Sequence, residues 1–383
     1  MTSGHLGSLT EHQAAVLSAF HNRIPDVLES IGIHEYLLWG TTFSRSSEPC
    51  DSASMIILKF LRAREFHLDS AIKMFTDCIK WRIAIDIENL QNDSRIRTAM
   101  AADYMHARDF KGRPILWTKF GSLESCPITE SIELFVKYRI AVFESATKAL
   151  IPLTRGQPET ICCVQDASAV ALFSKIHFFS NAISSVSELL GRNFPEWNAI
   201  SIFVEFPVTF SVVLNSAMLL MPEKTRNKIA VVRSGEIDKL CEYVAPINIP
   251  LLYGGLDTGL RPSNQHGSFC IILQPMESRE NVSLTEIPAG SHNVSITLRA
   301  TWGTVGIKIF MNSDQSTHKS QSGRSPRRRS LTAMNISEII NTEIFTCSRK
   351  VTGPGRISLS CSNGAFLSRR VLLMHAEFCA CLE

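Results

Sequence analysis

The sequence predicts an α/β domain that follows a helical lead-in and precedes an all-β sandwich. Residues 55–83 repeat apolar side chains at helical spacing, which predicts the lead-in. Apolar strands then alternate with long helical segments over 109–232, and this alternation implies right-handed crossovers and a mainly parallel sheet. After residue 255, short runs of alternating hydrophobicity separated by turn residues predict the sandwich.

The first part of the chain is predicted to be mostly helical. Residues 1–50 combine a short helical pattern with a Ser-rich connector that runs on to the first lead-in helix. That helix, at 55–64, has one apolar face and places Lys59 and Arg64 on its other faces. A second helix with regular apolar spacing is predicted at 68–83.

The central part alternates strongly between the two kinds of element. A helix at 208–221 is apolar nearly all round, so it is either a deeply buried core helix or a helix that faces lipid. The predicted order is strand 115–120, helix 128–150, strand 161–165, helix 174–191, strand 200–205, helix 208–221 and strand 229–232.

The last part reads as short strands. A short helical segment at 336–344 is the one expected exception, and a Ser- and Arg-rich interruption at 312–332 is predicted to be disordered. The predicted strands are 269–273, 294–300, 305–310, 356–361 and 371–378.

Bulk composition narrows the class of protein. At 383 residues the chain is long enough for two or three domains, and 45% hydrophobic with 20% charged residues is typical of a soluble globular protein. A formal net charge of +3 is too small to indicate nucleic-acid binding. No run of 18 apolar residues occurs, and the first residues lack the basic and apolar regions of a secretory signal.

Neither cysteines nor enzyme motifs indicate catalysis. The 11 cysteines are odd in number and contain no Cys-x-x-Cys pair, which favours free cytosolic thiols over zinc or a disulfide framework. The nucleophile elbow, the phosphate-binding loop and the His-Glu-x-x-His zinc motif are all absent. Asp103, His106 and Asp109 lie close together in sequence but lack partners for a metal site, so we expect neither an enzyme nor a metal.

Five motifs in a fixed order carry a family resemblance. The chain resembles the CRAL-TRIO lipid-transfer family, and its tail resembles a GOLD (Golgi dynamics) β-sandwich through Ile287-Pro288-Ala289-Gly290, 302–310 and 358–378. The five motifs are Ile57-Leu58-Lys59-Phe60-Leu61-Arg62-Ala63-Arg64-Glu65-Phe66 with Lys80-Trp81-Arg82, Asp109-Phe110-Lys111-Gly112-Arg113-Pro114, Phe194-Pro195-Glu196, Pro222-Glu223-Lys224-Thr225-Arg226-Asn227-Lys228-Ile229 and Leu251-Leu252-Tyr253-Gly254-Gly255.

The resemblance implies a domain plan and a gated lipid pocket. It assigns 1–50 to an N-terminal helix and connector, 51–94 to the helical lead-in, 95–260 to the lipid-binding domain and 264–383 to the GOLD-like sandwich. A sheet would floor the pocket and the mobile helix 208–221 would close it. The implied gate and pocket residues are Val212, Val213, Leu214, Met218, Leu219, Phe178 and Phe179.

The resemblance also implies a polar mouth for a phosphatidylinositol head group. Members that bind this lipid have their head-group residues at positions that hold Arg64, Glu196, Thr225 and Lys228 here. A lysine and a hydroxyl suit phosphate oxygens, and a carboxylate can accept from ring hydroxyls. Residues matching the family's phosphatidylcholine hydroxyls are Ile161 and Cys163, so strong phosphatidylcholine exchange is not expected.

The functional expectation is a phosphatidylinositol-binding and transfer protein that extracts and presents lipid between membranes. We expect a cytoplasmic monomer, peripheral on Golgi, endosomal or ER membranes, with phospholipids as partners and a protein partner through the GOLD-like domain. No cofactor other than bound phospholipid is expected, and no nucleic acid. The alternatives are a carrier of a sterol, a tocopherol-like molecule or haem, for which His177 could ligate iron, and a trafficking adaptor with a vestigial pocket.

The Arg-rich interruption has two interpretations. Arg324 and Arg327, with the two arginines that follow, interleave with serines. This segment would suit an anionic membrane contact weakened by phosphorylation, or it is a solvated insertion in the sandwich.

Overall fold

The computed structural model divides the chain into two compact units, Met1–Ser234 and Gly235–Glu383. No helix among the described residues combines the length and the hydropathy needed to cross a bilayer. The structure describes residues 4–46, 48–123, 126–168, 176–205, 218, 223–257, 268–301, 303–313, 335–340, 343–365 and 369–380.

A long helix and a hairpin open the first unit. Helix α1 (Glu11–Ile31) begins with a capping box, in which Thr10 and Gln13 satisfy each other's backbone donors, and Gly32 ends it in the left-handed conformation. Strands β1 (Glu35–Leu38) and β2 (Thr41–Ser44) then pair antiparallel. The sequence predicts only a short helix and a connector here, because two four-residue strands are too short to show a clear period.

The two lead-in helices are α2 (Asp51–Ala63) and α3 (Leu68–Ala84), close to their predicted bounds. Glu65 and Phe66 both adopt left-handed backbone conformations and separate the helices. Helix α2 is buried along its whole middle from Ala53 to Leu61, so its polar side is not exposed. The prediction that Lys59 lies on a separate face from the core is therefore wrong.

A five-stranded sheet forms the α/β core and confirms the predicted fold class. Its strand order is β3-β4-β5-β6-β7; β3 pairs antiparallel with β4, and the other pairs are parallel. The strands are β3 (Asp103–Arg108), β4 (Pro114–Lys119), β5 (Ile161–Asp166), β6 (Asn198–Val204) and β7 (Ile229–Val231).

Helices fill the crossovers between these strands. Helix α5 (Ile132–Thr147) joins β4 to β5 and α6 (Ile176–Asn193) joins β5 to β6. The short helix α4 (Ser94–Ala99) precedes β3, and the short α7 (Glu223–Arg226) precedes β7. The predicted gating helix at 208–221 lies outside the described residues except for Met218, so its shape and contacts stay predictions.

The second unit contains a six-stranded antiparallel sheet in the order β11-β10-β12-β9-β13-β8. The prediction of a helix at 336–344 is wrong, because residues 335–340 pair with β10 as a strand. The interruption at 312–332 lies outside the described residues from residue 314 onward. The strands are β8 (Ser268–Leu273), β9 (Ser278–Thr301), β10 (Val305–Ser313), β11 (Asn335–Ile340), β12 (Phe345–Ser362) and β13 (Arg370–Ala380).

The two long strands of this sheet, β9 and β12, pair antiparallel with three shifts in register, one of them between Gly353 and Gly355. Side chains of β9 on both sides of that shift, such as Ile287 and Leu298, belong to one hydrophobic core. An antiparallel sheet around one core is consistent with the predicted GOLD-like sandwich.

The stretch before the sandwich packs on the same unit. The turn Pro246–Asn248 lies against β8 and β13, and Asp238 of the short helix α8 (Ile237–Leu240) pairs with Arg369. The Arg299 guanidinium donates to the Gly255 carbonyl at 2.9 Å, and Ile247 donates its N–H to the Ser268 hydroxyl at 3.3 Å. The division into compact units falls after Ser234, and the domain boundary that the sequence predicts at 260–264 stays a prediction.

Candidate functional site

The candidate site lies at the amino ends of three neighbouring parallel strands. Glu159 precedes β5, Glu196 precedes β6 and Lys228 precedes β7. Because these strands are neighbours in the sheet and point the same way, their amino ends meet at one edge. The edge therefore brings two acidic residues and a lysine together from distant parts of the chain.

Glu196 and Lys228 form the polar centre of this edge. The Lys228 Nζ lies 3.8 Å from Glu196 Oε1, and each side chain is 38% exposed. The same ammonium donates to the Asn198 carbonyl at 3.3 Å. A lysine ammonium has three donors, so one more donor is available for a ligand oxygen.

The backbone at Glu196 is unusual. Its φ is 56°, in the left-handed region, which costs a non-glycine residue on the order of 1 kcal/mol. The residues on either side anchor it: Phe194 packs among Trp39, Trp81 and Phe143, and Trp197 is fully buried. The chain therefore turns sharply at Glu196 and directs its carboxylate toward Lys228.

A buried lysine supports the edge from the side of α2. Lys59 has no exposed surface, and its Nζ donates to the Glu159 carbonyl at 2.5 Å and to the Glu196 carbonyl at 3.1 Å. The ammonium also lies 4.4 Å from the centre of the Trp197 ring. Burial is the main cause that lowers the pKa of Lys59 to about 7, and the nearby Glu159 carboxylate partly opposes it.

Arg64 is not joined to the Glu196–Lys228 pair. In the described part of the chain its guanidinium donates to the Ala63 carbonyl, and no bond links it to either residue. Instead it lines a groove of 790 Å³ between α3 and α6, whose walls include Trp81 and Asn193. The side chain of Thr225, on α7, lies outside the described residues, so its role stays a prediction.

Most of the predicted gate cannot be placed. Val212, Val213, Leu214 and Leu219 lie outside the described residues, as do the side chains of Phe179 and His177. The Phe178 ring packs edge-on against Phe135 of α5 at 5.8 Å, within the helical core.

A buried ionic network lies beneath α5, where Asp103 accepts from three neighbours. Its Oδ1 accepts from Thr118 Oγ1 at 2.6 Å and from Arg139 Nη1 at 2.9 Å, and its Oδ2 accepts from the Tyr138 hydroxyl. Burial acts to lower the pKa of Arg139, but the Asp103 carboxylate outweighs it and the pKa is raised. Arg139 therefore stays charged inside the protein.

The other acidic residue of this segment, Asp109, also accepts hydrogen bonds from within the protein. Asp109 is 1% exposed and accepts from the backbone of Lys111 and Arg113 and from the Arg113 side chain. Among the described residues, no group of three or more His, Cys, Asp and Glu side chains could hold a metal ion.

The two β5 positions that the resemblance matches to phosphatidylcholine-binding hydroxyls carry no hydroxyl and are buried. Ile161 and Cys163 belong to the core cluster of the first unit. Burial raises the pKa of the Cys163 thiol to about 12, so it stays neutral at physiological pH.

Lys59 and Glu159 are the site residues that sequence reasoning missed. A signal for Lys59 was present: it is the one charged residue in the nine-residue stretch 53–61, which is otherwise almost wholly apolar. A lone lysine in such a run indicates a buried cation with specific partners. No comparable signal marks Glu159, because it contributes through its backbone carbonyl as well as its carboxylate.

Comparisons with known proteins agree with this architecture. Residues 98–255 match the CRAL/TRIO domain, and residues 16–77 match the CRAL/TRIO N-terminal domain. Patellin-6 of Arabidopsis thaliana is 27% identical over 229 residues, which cover 57% of this chain and 54% of that protein. The Sec14 cytosolic factor of Schizosaccharomyces pombe is 25% identical over 263 residues, covering 66% of this chain and 85% of that protein.

A solved structure shows the same fold. The crystal structure of Sfh5 superposes with a TM-score of 0.55 at 18% identity, covering 62% of this chain and 84% of that chain. The chain spans about half the length, or less, of the Patellins that it matches: 54% of Patellin-6, 46% of Patellin-3 and 33% of Patellin-5.

Proposed function

Because the chain belongs to the CRAL-TRIO family, we propose that it binds a phospholipid and transfers or presents it between membranes, without catalysis. The phospholipid that the site suits best is phosphatidylinositol. The observation that carries this choice is the Glu196–Lys228 pair at the amino edge of the sheet.

The chemistry of the pair matches the head group. Phosphatidylinositol carries an anionic phosphodiester and an uncharged polyol ring. The remaining donor of Lys228 suits a phosphate oxygen, and a charge-assisted bond of this kind is stronger than a neutral one. One oxygen of the Glu196 carboxylate lies 3.8 Å from Lys228 Nζ, so its second oxygen can accept from a ring hydroxyl.

The energetics of the acyl chains support transfer as the mechanism. Each CH₂ group moved from water to an apolar environment contributes roughly 0.8 kcal/mol, so a two-chain lipid cannot cross water alone at a useful rate. Bilayer and apolar pocket are both dry, so moving the chains between them is nearly neutral. The head-group contacts then decide which lipid stays bound.

Selectivity against phosphatidylcholine is part of the proposal. The Ile161 side chain has no donor, and the Cys163 thiol is neutral and at best a weak donor. The proposed membrane contact is peripheral, and the C-terminal sandwich supports it as a targeting module.

Removing the Lys228 charge is expected to weaken phosphatidylinositol transfer about tenfold, because a charge-assisted hydrogen bond contributes roughly 1.5–3 kcal/mol. The measurement is transfer of fluorescent phosphatidylinositol between vesicles by wild type and Lys228→Ala. Thr225→Asp would place a carboxylate near the same phosphate and is expected to weaken transfer as well. Lys137→Ala, which removes a similarly exposed lysine from α5, is the matched control and is expected to transfer at the wild-type rate.

The identity of the ligand tests the proposal separately. Mass spectrometry of lipid that co-purifies with the protein should find phosphatidylinositol in excess over phosphatidylcholine. A co-purifying sterol or tocopherol-like molecule, or a Soret band from haem, would replace the proposed ligand. Equal transfer by wild type, Lys228→Ala and Thr225→Asp would show that the head-group assignment is wrong.

A further inference from the structure

Lys59 is the one fully buried lysine in the described part of the first unit, and its ammonium bonds to the site edge. Its ammonium lies between the carbonyls of Glu159 and Glu196 and over the Trp197 ring. These three partners belong to the segments that lead into β5 and β6. A single side chain of α2 therefore bonds to both segments, the one before β5 and the one before β6, that form the site edge.

The contact with Glu196 is made at the point of backbone strain. Lys59 donates to the carbonyl of the residue whose φ is 56°. Loss of this bond would leave a buried carbonyl without its donor and would free the turn to relax. Because the Glu196 carboxylate leaves the same residue, relaxation of the turn would move it away from Lys228.

The two carboxylates nearest to Lys59 are paired with other basic side chains. The Glu159 carboxylate binds the Arg62 guanidinium at 3.0 Å and His5 Nδ1 at 3.4 Å. The Glu196 carboxylate pairs with Lys228 at 3.8 Å. Lys59 thus meets backbone carbonyls, and its charge adds to the positive field in which an anionic head group would sit.

We propose that Lys59 is a positioning residue for the head-group site: its ammonium fixes the Glu196 turn from behind and adds positive charge, so phosphatidylinositol binding depends on its protonation. This inference rests on the proposed function. It adds a control of affinity by pH to that function.

The sign of the pH effect follows from the loss of the Lys59 charge as pH rises. The low pKa of Lys59, about 7, places that loss in the physiological range. The neutral amine is a weaker donor to the two carbonyls and contributes no field at the phosphate. Binding is expected to weaken as pH rises from 6 to 8.5, by roughly 3- to 10-fold.

The experiment measures extraction of phosphatidylinositol from vesicles by the full chain at pH values from 6 to 8.5. Lys59→Arg keeps a charge that does not titrate here, and it is expected to bind with a flat profile. Lys59→Met keeps the volume and removes the charge, and it is expected to bind about tenfold more weakly than wild type at pH 6, also with a flat profile. His5→Gln, which removes the imidazole beside Glu159, is expected to keep the wild-type profile.

A purely structural lysine would change the melting temperature of the variants but leave the slope of binding against pH as in wild type. The inference is therefore overturned if wild type extracts phosphatidylinositol equally at pH 6 and 8.5, or if Lys59→Arg keeps the wild-type slope. If Lys59→Met does not fold, wild type and Lys59→Arg still decide the question. Failure of wild type to extract phosphatidylinositol at any pH would instead refute the proposed function.

Discussion

Replacing Asp103 with alanine is expected to lower the free energy of unfolding by about 3–5 kcal/mol, because it leaves a buried guanidinium without its carboxylate. The side chains of Asp103 and Arg139 are 4% and 7% exposed. The substitution also removes the acceptor of the Tyr138 and Thr118 hydroxyls. Chemical denaturation of the full chain, followed by a signal from the first unit, measures the loss.

Two controls separate the buried charge from general disturbance. Asp77→Ala breaks an exposed i,i+4 pair with Lys73 on α3 and is expected to cost less than about 1 kcal/mol. In the double variant Asp103→Leu with Arg139→Met, no charge is left unpaired, so most of the lost stability should return. If Asp103→Ala costs no more than Asp77→Ala, the network is not the stabilising element described here.

Gly255→Ala is expected to destabilise the second unit by about 3 kcal/mol, because the added methyl group has no room. A Cβ built at Gly255 would lie 2.0 Å from the Ile249 carbonyl oxygen and 2.5 Å from its carbon. Both atoms are backbone, so no side-chain rotation can relieve the overlap. Thermal or urea unfolding of the full chain measures the effect.

Two other glycines of the second unit, Gly254 and Gly364, provide graded controls for this prediction. Gly254 has φ 83° but its Cβ would meet only Ile237, at 3.9 Å, so Gly254→Ala is expected to cost only about 1 kcal/mol of backbone strain. Gly364 has open space around its Cβ position, and Gly364→Ala is expected to change stability by less than about 0.5 kcal/mol. Similar losses for Gly254→Ala and Gly255→Ala would contradict the steric explanation.

The alternation of strands and helices could be predicted because helices α5 and α6 and strands β4, β5 and β6 are long enough to show their periods. Strand β3 could not be predicted, because Asp103–Arg108 lies at the edge of the sheet. Its residues are half-buried or exposed and show no strict alternation. Residues 335–340 repeat isoleucines at a spacing that also fits a helix, and pairing with β10 decides the outcome.

The candidate site could also be predicted only in part from the sequence. Glu196 and Lys228 could be named from motifs, and the structure places them side by side. Their distance depends on the order of β6 and β7 in the sheet, which no local pattern encodes. Lys59 was placed on a polar face because helical periodicity describes one helix alone, whereas its partners come from loops about 100 and 137 residues away.

The attachment of residues 237–257 to the sandwich affects how the lipid-binding region can be isolated. Truncation at residue 260 would remove Arg299, whose guanidinium holds the Gly255 carbonyl, and Arg369, which pairs with Asp238. The turn Pro246–Asn248 would also lose the β8 and β13 surface on which it packs and would then face water. Fragments that end at residue 260 are therefore expected to aggregate for a reason unrelated to lipid. The whole chain keeps this surface covered.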